Sequence, residues 1–219
     1  MSFIKSKTSR AVFVFIDLAV IALVFTCTFT DAFTADRALW NTGLRRLVFY
    51  TVESNLLAAA ALLAALPFKL KRWRDGSELP FFCTLLTFAG VTSTTITFMT
   101  VICFLGPTMG YGTMYVGNSF FLHLVCPVLA ALSFVFDAQS EKKLKMPHIA
   151  VSLIPTAVYG VVYFIMVVVI GKQNGGWDDF YGFNRGGLWY VSYIVMLGAA
   201  FLIGALLRLA HNAVEKRIG

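Results

Sequence analysis

Residues 45–68 read RRLVFYTVESNLLAAAALLAALPF. From Leu47 to Phe68 this run has the length a helix needs to cross a bilayer core, about 20 apolar residues. Yet Thr51, Glu53, Ser54 and Asn55 stand together in its first third. Polar side chains are costly in hydrocarbon unless they meet partners or a polar cavity. Their clustering therefore points to groups on other helices at the same depth.

The composition agrees with a membrane setting. The chain of 219 residues is 58% hydrophobic and only 13% charged, where a soluble domain carries roughly 25% charged residues. The formal charge of +7 does not indicate nucleic acid, because Lys and Arg sit at the ends of apolar runs, as topology determinants do. No nucleic-acid partner is expected. Cys27, Cys83, Cys103 and Cys126 fall inside apolar runs without CxxC spacing, so neither a metal site nor any other cofactor is expected. Cys27 and Cys103 come to similar depth in the topology below, which leaves a disulfide between them open.

Charge-poor runs at 11–29, 47–68, 79–105, 118–136, 147–171 and 186–207 predict an all-α integral membrane bundle of six transmembrane helices. GPTMGYGTMYVG, residues 106–117, is too rich in Gly and Pro to continue the third helix. The first run exceeds the apolar core of a signal peptide and lacks a cleavage pattern, so it reads as a retained helix. No repeat or separate soluble segment stands out, and residues 1–219 read as one domain. With the N-terminus inside, 13 basic residues (Lys69, Lys71, Arg72 and Arg74 among them) fall on the inner side and five on the outer. That bias predicts cytoplasmic N- and C-termini.

In this topology the second and fourth helices both start at the outer boundary. Thr51 and His123 then lie roughly 6 to 8 Å below their helix starts at 1.5 Å per residue. A hydroxyl and an imidazole thus arrive at one level. Pro127, four residues after His123, has no N–H for the His123 carbonyl, so a kink with a free acceptor is expected there. Thr51 and Asn55 share one helix face, while Glu53 points elsewhere. Asn55 reads as an inter-helix bond or a site donor. Glu53 reads as a partner of Arg45, Arg46 or another helix, or as a group facing a polar cavity. The hydroxyl-rich VTSTTITFMT, residues 91–100, suits close helix packing or a tunnel lining. Asp17 lies toward the other membrane face and reads as a bundle contact. In GKQNGGWDDFYGFNRGGLWY, residues 171–190, the aromatics read as an interfacial belt or as a loop over the site.

FYTVESNLL, residues 49–57, followed by FLHLVCPVLAALSFVFD, residues 121–137, and a glycine and aromatic segment before the last helix, resembles the androgen-induced-gene family. These are multi-pass membrane proteins that include the FAHFA hydrolases and bacterial relatives. The resemblance covers most of the chain, with the second and fourth helices its specific parts. It implies hydrolysis of fatty acid esters of hydroxy fatty acids, or similar lipid esters, with Thr51 as nucleophile and His123 as base. The loop departs from the family, GGWDDFYGF standing where a WYPYPF-like run is found, which leaves the substrate's identity open. In a bacterium the location would be the plasma membrane.

The chemistry is consistent with the residues. A Thr hydroxyl needs an adjacent base to act as a nucleophile, and neutral His is suited to the task. Asn55, Ser54 or backbone N–H groups are the candidate oxyanion donors, with Glu53 a weaker member of the site. Asp178, Asp179 and Glu53 are the candidates for orienting His123. The alternative is a small transporter or channel with Asp17, Glu53, Asn55 and His123 along a pathway. Against it, the polar residues do not continue inward and no inverted repeat is evident.

Overall fold

The computed structural model describes residues 6–30 and 43–218. Among these residues the chain is helical, with one isolated backbone bridge between Leu79 and Ser140. Six helices are long and apolar enough to span a membrane: α1 (Lys7–Phe29), α2 (Tyr50–Asp75), α3 (Phe81–Met109), α4 (Asn118–Asp137), α5 (Met146–Ile170) and α6 (Trp189–Ile218). A multi-pass integral membrane protein accounts for their outward faces, where Phe15, Val169 and Ile194 stand exposed.

The helix ends follow local chemistry more closely than they follow the charge pattern. The Ser6 hydroxyl caps α1 by accepting the Ser9 N–H at 3.0 Å. α2 begins at Tyr50, because residues 43–48 form a 3₁₀ turn. It does not stop at Phe68 but carries Lys69, Lys71, Arg72 and Arg74 within it. Long basic stems can run along apolar surface, so charge alone does not end a helix. Gly76 does, in the left-handed region at φ 78°, where glycine carries no Cβ penalty. α6 starts at Trp189 rather than 186, since residues 185–187 form a separate turn.

α3 also departs from expectation. It runs through Gly106 and Pro107 to Met109 instead of stopping at Leu105. A π-turn at Val101–Leu105 precedes Pro107, which then occupies the first turn of the next helical segment. There its missing N–H is no loss. The stop falls at Gly110, whose φ is 90°.

α3 is the hub of the bundle. In its most apolar window 61% of residues are buried, against 17% in α5 and in α6. Gly90 lets α2 come close, since a Cβ there would lie 2.7 Å from the Ala58 Cα. The main apolar core joins α1 to α5 through residues such as Val24, Leu62, Phe88, Ala130 and Phe134. All four cysteines are free, with Cys27 buried and Cys103 exposed, so the disulfide left open between those two does not form.

At one end of this core lies a closed ionic cluster. Lys69 is fully buried rather than a loop residue. Its ammonium meets the Asp17 carboxylate at 2.7 Å, Asp137 at 3.1 Å and the Ser133 hydroxyl at 3.0 Å. Ser133 in turn donates to Asp17. Arg72 donates to the Asp137 backbone carbonyl at 3.0 Å, and Arg10 donates to that of Arg72. Asp17 is thus a bundle contact tying α1 to α2 and α4.

Candidate active site

Thr51 is the second residue of α2, near the end opposite Lys69. Eighteen residues separate the two, about 27 Å along a helix. His123 sits in a π-turn of α4, Phe121–Val125. The Thr51 Oγ1 and the His123 Nε2 are 3.4 Å apart. That contact is long for a hydrogen bond, within the looseness that catalytic pairs show before substrate binds. The other ring nitrogen, Nδ1, lies 2.7 Å from the Met114 carbonyl. A carbonyl only accepts, so Nδ1 carries the proton and Nε2 turns its lone pair toward Thr51. The group orienting His123 is therefore a backbone oxygen, which no side-chain search of the sequence finds.

The π-turn changes what Pro127 does. Its bonds run five residues back, with the Cys126 N–H reaching the Phe121 carbonyl. The proline's missing donor consequently falls on Leu122 and not on His123. Asn55 Nδ2 donates to that Leu122 carbonyl at 3.0 Å and to the Thr51 carbonyl at 2.7 Å. Both amide hydrogens are committed, so Asn55 fastens α2 to α4 beside the pair and is no oxyanion donor. Its Oδ1 is buried without a hydrogen-bond partner. Ser54 is similarly engaged, with its hydroxyl 2.9 Å from Thr97 Oγ1 and 3.2 Å from the Thr51 carbonyl.

The acidic candidates stand apart from His123. Glu53 is exposed and forms no ion pair among the described residues; the Arg45 side chain lies outside the described residues. Arg46 donates to the carbonyls of Cys27 and Thr30 at 3.1 Å. Asp178 pairs with Lys172 at the surface. Asp179 organises its loop, accepting from the Tyr163 hydroxyl at 2.8 Å and from the N–H groups of Phe183 and Asn184 at 2.9 and 3.0 Å.

That loop folds inward. Trp177, Phe180, Tyr181 and Phe183 pack on Tyr50, Tyr159 and Tyr163, while Tyr190 remains exposed. The belt reading therefore fits Tyr190 alone of these five, and the rest cover the Thr51 end. Tyr181 is the residue that sequence reasoning missed. Phe49, at the cap position of α2, offers no side-chain bond, and the Tyr50 N–H donates instead to the Tyr181 hydroxyl at 3.0 Å. Tyr181 and Thr51 line the same cavity. Nothing in the spacing of residues 51 and 181 signals this, since the contact depends on the loop's return path.

A cavity opens beside Thr51 among α2, α3, α5, α6 and this loop. Its walls include Thr97, Thr100, Tyr163, Phe164, Tyr193 and Met196, and no charged residue lines it among the described residues. Most hydroxyls of residues 91–100 divide between two tasks, while the Thr92 hydroxyl is buried without a hydrogen-bond partner. Ser93, Thr94 and Thr95 bond carbonyls of their own helix, whereas Thr97 and Thr100 face the cavity. Between this cavity and Lys69, α2 contributes Ala59 and Leu62 to the buried apolar core. Comparisons with protein-family models, curated proteins and solved structures give no match for this chain.

Proposed function

We propose that the protein is a membrane-embedded hydrolase of lipid esters, with Thr51 as nucleophile and His123 as general base. The observation that carries this reading is the Thr51–His123 contact, with Thr51 on the wall of a cavity whose described lining is uncharged and the imidazole tautomer set by Met114. The Thr51 proton passes to His123 Nε2 as Oγ1 attacks the ester carbonyl. The tetrahedral intermediate collapses, the C–O bond to the leaving alcohol breaks, and His123 returns the proton to that alcohol. Water, deprotonated by His123, then attacks the Thr51 ester, frees the fatty acid and restores the hydroxyl.

The cavity's chemistry supports an acyl chain as its occupant. A largely apolar wall, with hydroxyls but without charge among the described residues, favours hydrocarbon over a free carboxylate. A fatty acid ester of a hydroxy fatty acid, the substrate implied by the resemblance to the androgen-induced-gene family, would keep its carboxylate outside this cavity. Each buried CH₂ contributes about 0.8 kcal/mol, so kcat/KM should rise with acyl length until the cavity is full. Placing both termini in the cytoplasm puts the pair in the outer half of a plasma membrane. Without the buried Lys69 the basic residues still number twelve on the inner side to five on the outer. For transport, the apolar core at Ala59 and Leu62 breaks the polar track that a solute would need.

The test is covalent labelling of purified protein with a fluorophosphonate bearing an alkyl chain. Wild type should label, and Thr51→Ala and His123→Ala should not, with thermal stability close to wild type in each. Label retained by Thr51→Ala removes Thr51 as the nucleophile. Facilitated solute flux through proteoliposomes that the probe does not inhibit replaces the hydrolase by a transporter.

A further inference from the structure

Resting on the Thr51–His123 reading, we infer that Tyr181 is a catalytic residue, its phenolic O–H being the oxyanion donor that neither Asn55 nor Ser54 supplies. Both of those are committed to inter-helix bonds, so the reaction needs a donor from elsewhere. Tyr181 comes from the loop between α5 and α6 and reaches the start of α2, 131 residues away in the chain.

The hydrogen-bond inventory fixes what its proton can do. The Tyr181 oxygen accepts the Tyr50 N–H at 3.0 Å. It therefore takes up a free donor at the N-terminus of α2, as a capping hydroxyl does. A phenol has one proton, and the bond accepted from Tyr50 leaves that proton free for the cavity that Tyr181 shares with Thr51. Tyr159 already gives its own proton to the Val48 carbonyl at 2.8 Å. Tyr181 thus stands on the wall of the cavity that Thr51 also lines, its hydroxyl bonded one residue before Thr51, where the carbonyl oxygen of a bound ester must lie. As Oγ1 bonds to the carbonyl carbon, the carbonyl π pair moves onto that oxygen. Tyr181 then donates to the oxyanion without transferring its proton.

Two features strengthen the donor. Backbone N–H groups at a helix N-terminus stabilise negative charge, and bonds accepted by the phenol oxygen polarise its O–H further. Burial pushes the Tyr181 phenol up to about 12, so it stays protonated wherever a histidine is neutral. The ring is held by Phe180 at 4.6 Å, Phe183 at 5.1 Å and Tyr163 at 5.7 Å between centroids. A donor fixed before reaction needs no reorganisation as charge develops.

Tyr181→Phe keeps the ring and removes the proton. With a 4-nitrophenyl ester of a long acyl chain as probe, kcat should fall by about 10²–10³-fold, the loss typical of one oxyanion donor, while KM changes little. Two inhibitors separate chemistry from folding. Affinity for an acyl trifluoromethyl ketone, which Thr51 converts to a tetrahedral adduct, should fall by a similar factor. Affinity for the unreactive ether of the same chain should not change. Tyr190→Phe, which removes a hydroxyl from an exposed ring outside the cavity lining, should retain most of the activity. Equal loss of both inhibitors, or an unchanged kcat, overturns the Tyr181 role while leaving the dyad intact. Wild-type turnover that Thr51→Ala does not abolish overturns the dyad, and Tyr181 with it.

Discussion

The two ends of α2 handle polar groups in opposite ways. At the Lys69 end, an ammonium, two carboxylates and a serine hydroxyl bond one another in a fully buried cluster. At the Thr51 end, the threonine and His123 are half-buried, their contact is 3.4 Å, and a cavity adjoins the threonine. Fully bonded buried charges hold helices in place and leave no lone pair free for chemistry. A loosely paired hydroxyl and imidazole next to unfilled space retain theirs. Within one protein, the more strongly charged site is therefore the structural one.

Replacing Lys69 should show the largest effect on folding. Lys69→Met leaves Asp17 and Asp137 without their ammonium partner, and breaking such a buried pair costs about 3–5 kcal/mol. Unfolding in detergent, followed by circular dichroism, should register that loss. Changing Asp17 and Lys69 together to Leu and Met, which leaves Asp137 paired with Arg72, should recover most of it, because apolar groups need no partner. If the single change is as harmless as the double one, the cluster does not hold the bundle together.

A smaller effect is expected from Asn55→Leu, which strips the donor from the Leu122 carbonyl. An unsatisfied buried acceptor costs about 1–3 kcal/mol. Since Asn55 joins the segments that carry Thr51 and His123, hydrolysis should fall out of proportion to stability. Lys69→Met should show the reverse pattern, with the surviving folded protein near wild-type turnover. Parallel loss in both variants would erase the distinction between the two ends.

Asp178→Asn should do least. Its ion pair with Lys172 is exposed, and such pairs are worth about 0–1 kcal/mol. Melting temperature and turnover should both stay near wild type. A turnover loss of tenfold or more would return Asp178 to the site despite its distance from His123 in the hydrogen-bond pattern.

Residue by residue, legibility in the sequence tracked how local the determining forces are. Six membrane-length helices were readable because desolvating a backbone over about 20 residues demands an apolar run whatever its neighbours. Their ends were less so. Phe68 looked like the end of α2 because charge follows it, but Asp17 and Asp137 arrive from α1 and α4 to neutralise Lys69. Thr51 and His123 were singled out by depth along two helices, a one-dimensional quantity. Depth carries no azimuth, which is why Glu53 and Asn55 stayed open as site members.

The chain alone thus determined the class of protein, the number of spanning helices and the level at which a hydroxyl and an imidazole meet. Tertiary structure decided which groups are already engaged. It commits Asn55 to Leu122, the His123 Nδ1 proton to the Met114 carbonyl and the N-terminus of α2 to Tyr181. Each of these bonds joins segments by their rotation about the helix axis or by the return of a loop. Hydropathy and spacing record neither, because the energy of a hydrogen bond depends on ångström-scale approach in three dimensions.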